Sequence, residues 1–161
     1  MARIFTVQED EAPVFKSSSH TSMKTLSLFL TLSIALFVTG CGKMFAGKAA
    51  ADQGVADFHK LYNEGKLTEI YSTGHSKLKA ATTEKQFMDF MGAVQRKLGK
   101  VTQTANIGFN VRTMNFTTTV VLTQNTTFEQ GTGTETFTFQ MEGDKAVPVG
   151  YNINSKDLIL K

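Results

Sequence analysis

The chain has one cysteine among its 161 residues, and only 19% of them are charged. A single thiol excludes an intramolecular disulfide, so the fold must rest on packing and hydrogen bonds. The net charge of +3 comes from Lys and Arg scattered among carboxylates. There is no basic block, no zinc-ligand spacing and no basic strand studded with aromatics, which excludes a nucleic-acid partner. A mild positive balance suits a domain lying near anionic head groups. No His-x-x-x-His pair and no Gly-x-Ser-x-Gly elbow occurs, so no residue is assigned to catalysis, to a metal or to a cofactor.

What is present begins with Met23 to Cys41. Lys24 gives a positive start, Leu26 to Val38 an apolar run too short to span a bilayer, and small residues follow. The run ends Val38-Thr39-Gly40-Cys41. This tetrapeptide resembles the lipobox of bacterial lipoproteins, which implies diacylglyceryl transfer to the Cys41 thiol and cleavage on its amino side. The competing readings are an ordinary secretory signal with an incidental cysteine, or a buried helix. The only cysteine in the chain stands where the apolar run ends, after a Thr-Gly pair, and this favours the anchor. Residues 1–22, with Glu9, Asp10 and Glu11, read as a misassigned start or a disordered extension. Residues 23–40 are then the signal peptide, 41–49 a lipidated tether and 50–161 a single domain. The expected location is the bacterial cell envelope. Gly42 stands where an aspartate would resemble the inner-membrane retention signal, so the outer membrane, facing the periplasm, is expected where the organism has one.

Within the domain, Val55, Phe58, Leu61 and Tyr62 recur at helical spacing before Gly65 and predict a helix over 50–64. Leu67, Ile70 and Tyr71 predict one or two further turns. Thr83 and Gln86 fit a capping box, and Phe87, Phe90, Met91, Val94 and Leu98 form a stripe ended by Gly99, which predicts a helix over 84–98. From Val101 the period becomes two and Thr, Val and Phe dominate, as in antiparallel strands. Phe116, Val120, Leu122 and Phe128 share one parity, and so do Phe137, Phe139 and Met141. Turns are expected over 130–133 and 142–145. Val147, Val149, Tyr151 and Ile153 alternate along the last strand. The layout is α+β: two to three N-terminal helices packed on a curved antiparallel sheet of about four strands.

Several separated pieces carry a family resemblance: Arg96-Lys97-Leu98-Gly99, Thr127-Phe128-Glu129, Glu135-Thr136-Phe137 and Gly150-Tyr151-Asn152-Ile153. They resemble small bacterial envelope lipoproteins of unknown function with a cystatin-like or nuclear-transport-factor-2-like fold. The resemblance spans roughly residues 50–155 and implies a fold, with helices wrapped by a four-stranded sheet, but no activity and no catalytic residue.

Asp57, His59 and His75 are the residues weighed as metal ligands, and Asp57 with His59 as an acid–base pair, and neither reading is adopted. Asp57 and His59 are two residues apart on a helix and so point about 200° apart, and the histidines are expected at the surface. Threonines at 117, 118, 119, 123, 126, 127, 134, 136 and 138 predict a solvated sheet face rather than an ice-binding lattice, because short sheets twist. Phe58, Phe87, Phe90, Phe116, Phe128, Phe137 and Phe139 are the expected core. The expected function is a non-catalytic, lipid-anchored module that binds an envelope protein or a small apolar ligand. The alternative is a small hydrolase or isomerase using a pocket in the cone of the sheet.

Overall fold

The computed structural model describes residues 46–160. Residues 1–22, the stretch read above as an export signal and Cys41 all lie outside the described residues. The first described helix, α1, occupies residues 46–63 and presents Ala51, Val55, Phe58 and Tyr62 as one buried stripe at spacings of three and four. It ends at Gly65, whose φ of +71° lets the chain turn back. There the Gly65 N–H donates to the Tyr62 carbonyl at 3.0 Å and the Lys66 N–H to that of Leu61 at 2.9 Å. Two short helices follow, α2 (Leu67–Thr73) and α3 (Ser76–Ala81). Helix α4 (Glu84–Leu98) opens with the expected capping box: the Gln86 N–H donates to Thr83 Oγ1 at 3.3 Å and the Thr83 N–H to Gln86 Oε1 at 3.0 Å. It buries Phe87, Met91, Val94 and Leu98.

Four antiparallel strands follow in the order β1 (Val101–Met114), β2 (Thr117–Phe128), β3 (Gly131–Glu142) and β4 (Lys145–Asn154). A last short helix, α5 (Lys156–Leu160), closes the described chain. The molecule is thus α+β, with helices followed by an open meander. Cross-strand partners share a face, so the inner face reads in rows. One row is Phe109, Leu122, Phe137 and Tyr151; the next is Asn106, Gln124, Glu135 and Ile153. Helix α1 lies close over this face because residue 54 is glycine: a Cβ there would come within 2.8 Å of the Phe139 ring. Phe58 stacks on Tyr151 with centroids 4.9 Å apart and meets Phe137 edge-on at 5.1 Å. Each such buried ring contributes roughly 1.5–3 kcal/mol.

Several expectations are corrected. Helix α1 begins at residue 46 and ends at 63, against the expected 50–64. Among the described residues four helical segments precede the sheet rather than two to three, since α3 is too short for a periodic stripe. Phe90 is 43% exposed and Phe116 is 106% exposed, so neither belongs to the core. Phe116 stands in the β1–β2 turn, not in the strand. The β2–β3 turn is Glu129-Gln130, and Gly131 to Gly133 already pair with β2. The register shifts where Phe139 meets Pro148 and Thr138 meets Gly150, which puts Val147 opposite Gln140 instead of on the parity of Tyr151 and Ile153. Thr126 is buried on the inner face, away from the threonines of the solvent side.

Candidate functional site

Polar groups gather at one place in this core. Residue 135 is the inner-facing position of β3 two before Phe137, and it is a glutamate with 1% exposure. An ionised carboxylate there costs several kcal/mol unless its lone pairs are met. Three donors meet them. His59 Nε2, from α1, lies 2.8 Å from Oε2; Thr126 Oγ1 donates to the same oxygen at 2.5 Å; Tyr151 Oη donates to Oε1 at 2.7 Å. Because Thr126 spends its one proton on Glu135, the Thr104 hydroxyl 3.2 Å away must be the donor between those two. The line of hydroxyls therefore runs from β1 across β2 to the carboxylate.

The same environment moves two phenols. Burial first, then the Glu135 charge and its hydrogen bond, push the Tyr151 phenol well above its usual range. Burial first, then the charges of Glu135 and Glu129, raise that of Tyr62, which donates to the Gly99 carbonyl at 2.9 Å. Rings close the cluster in: Phe137 stands edge-on to His59 at 5.5 Å and Phe58 at 6.1 Å. Neither His59 nor Glu135 lines the grooves beside α2, α3 and α5 or the one on the β1–β2 face. The cluster fixes α1 on the sheet, and only its outer members, Thr126 and Tyr151, reach a cavity wall.

Room exists elsewhere. A groove of about 680 Å³ runs between α1, α2 and the start of β4. Its apolar lining includes Phe58, Leu61, Ile70, Ala146, Val147 and Pro148. Its charged lining carries both signs, with Asp57, Glu64 and Glu69 against Lys60, Lys66 and Lys145. Glu64 and Lys66 pair with each other at 2.9 Å.

The structure separates the candidate residues. Asp57 is exposed at the groove, where it accepts from Gln53 Nε2 at 2.9 Å, while His59 on the other side of α1 is buried and not at the surface as expected. His75 is half-buried and structural. Its Nδ1 caps α3 by accepting from the Lys77 N–H at 3.0 Å, its own N–H donates to the Pro148 carbonyl at 2.9 Å, and its Nε2 lies 3.3 Å from Glu142. Among the described residues no three His, Cys, Asp or Glu side chains converge as metal ligands. Sequence reasoning names Glu135 only within the family resemblance and gives it no site role, although its parity with Phe137 and Phe139 is a legible signal of an inward carboxylate. Among the described residues no helix is long and apolar enough to cross a membrane. No protein family, curated protein or solved structure matches the chain.

Proposed function

We propose that the protein is a lipid-anchored component of the bacterial envelope, held by Cys41, whose domain binds a segment of another envelope protein without catalysing a reaction. The observation that carries the binding assignment is the groove between α1, α2 and β4, open and apolar inside with paired and unpaired charges of both signs at its edge. That composition suits a peptide segment with apolar anchors and polar flanks better than a polyanion. A small apolar ligand is the other occupant of matching chemistry. The helices-then-meander order supports a cystatin-like or nuclear-transport-factor-2-like scaffold. A hydrolase or isomerase in the cone of the sheet is the weaker reading, because among the described residues the buried acid–histidine pair, His59 with Glu135, has the Phe58 and Phe137 rings against it and lines no groove.

A photo-crosslinking residue at Lys60 or Glu69 in living cells should give one discrete adduct that Leu61→Asp, in the groove wall, abolishes. The same residue at Thr127, on an exposed part of β2, should give none. Equal labelling from all three positions, or turnover of a substrate by the purified protein, would remove the proposal. For the anchor, Cys41→Ser should leave the precursor uncut and unlabelled by fatty acid, since a hydroxyl is a far poorer nucleophile than a thiol.

A further inference from the structure

The β1–β2 hairpin ends in a two-residue turn, Asn115-Phe116, between the paired residues Met114 and Thr117. Both central residues have positive φ, 49° and 62°. This is the sign pattern of a type I′ turn, whose second position strongly favours glycine. Phenylalanine at that position strains the backbone, since a bulky side chain is disfavoured in the left-handed region. Its ring is also 106% exposed, so nothing among the described residues rewards it. Met114 beside it is 55% exposed, and farther back on the same edge strand Ile107 is 55% and Phe109 is 47% exposed. Between Val101 and Phe128 the single charged residue is Arg112, next to the tip.

The position of this tip relative to the start of α1 names its partner. A Cβ on Gly47 would stand 3.6 Å from Val120, and Lys48 Nζ lies 5.6 Å from the Phe109 ring centroid, so α1 begins at the hairpin end of the sheet. Phe116 is four residues beyond Val120, roughly 14 Å at strand rise. Cys41 is five residues before Ala46, at most about 18 Å of chain. A lipid on Cys41 would therefore put the bilayer surface within reach of the hairpin tip. We infer that the Asn115-Phe116 tip is a membrane contact, with Phe116 and Met114 entering the interface of the phospholipid bilayer and Arg112 at head-group level. An aromatic ring and a thioether suit that depth, and the absence of acidic residues on β1 and β2 leaves no repulsion toward anionic lipid. The neighbouring β3–β4 tip, with Glu142, Asp144 and Lys145, makes the contact one-sided, along the β1 edge. The inference rests on the anchor reading and adds an orientation to it.

The chain has no tryptophan, so Phe116→Trp is a background-free reporter. The full-length protein isolated from cells is reconstituted in vesicles of phosphatidylethanolamine and phosphatidylglycerol, with Thr127→Trp as the distal control. The Phe116→Trp emission should shift to the blue, be quenched severalfold by brominated acyl chains and resist iodide at every protein-to-lipid ratio. Thr127→Trp should behave in the opposite way. A chain that floats with vesicles while its Phe116→Trp indole is open to iodide and untouched by brominated lipid overturns this inference and leaves the anchor standing. Shielding that needs a high protein-to-lipid ratio, without bromolipid quenching, also overturns it, in favour of a second copy on the β1 edge. A chain that carries no fatty acid and fails to float overturns both readings.

Discussion

Glu135 in the core and Phe116 in water both stand in the wrong solvent, and their surroundings differ in kind. Glu135 is compensated from within: His59, Thr126 and Tyr151 all point at its oxygens. Phe116 has no such compensation. Its ring is fully exposed and its φ is +62°. The second tight turn at the same end of the sheet sharpens the contrast. Between the paired Glu142 and Lys145 stand Gly143, with φ +61°, and Asp144, so glycine occupies the position where left-handed backbone is needed. One hairpin follows the chemistry of its turn and the other departs from it. A departure satisfied inside the fold explains stability; one satisfied by nothing inside points to something outside.

The largest test of the contrast is Glu135→Leu. It leaves three donors facing an apolar side chain, and the protein should lose about 3–5 kcal/mol of stability, read from urea unfolding by circular dichroism. A neutral result would mean that the carboxylate is not held as the geometry implies. Tyr151→Phe should cost less, about 1–2 kcal/mol at neutral pH, and it should also change the alkaline limb. The Tyr151 phenol is raised in the folded protein, so the unfolded chain gives up its proton first. Stability is then full below about pH 10, the ordinary tyrosine value, and falls as pH rises beyond it. In Tyr151→Phe that decline should be shallower, and Tyr62, raised in the same direction, should account for part of what remains.

The hairpins give the smaller effects, of opposite sign. Phe116→Gly should stabilise the protein by about 1 kcal/mol, by placing Asn-Gly in a turn that favours it. Gly143→Ala should destabilise it by about 1 kcal/mol, since Cβ is strained at that φ. Matching signs for the two substitutions would end the comparison, because the turns would then not differ as their φ values say. The stabilised Phe116→Gly protein should at the same time hold its hairpin farther from a bilayer, which fluorescence quenching from a label on Asn115 by brominated lipid would report.

Much of the framework was legible beforehand because it depends on neighbours in the chain. Helix α4 runs over the predicted residues since its cap, Thr83 with Gln86, and its stop, Gly99, act within one turn. The inner parity of Val120, Leu122, Phe128, Phe137 and Phe139 was readable for the same reason, a period of two with no interruption. The reading went astray where one residue changes the count. The bulge between Thr138 and Phe139 moves Val147 off the expected face, and the turn at Asn115-Phe116 lifts a phenylalanine out of a strand in which its parity looked like core.

The sequence by itself determined the order of the elements, helices and then an antiparallel meander, because capping, stripe and alternation are local and each is encoded within a few residues. It did not determine the company that His59 keeps. His59 and Glu135 are 76 positions apart and meet at 2.8 Å only because α1 crosses β3 at that row of the sheet. Nor did it determine the groove, which needs α1, α2 and β4 in place together. Contacts between distant segments depend on register and crossing, and those are decided when the faces pack, not by the residues on either side in the chain.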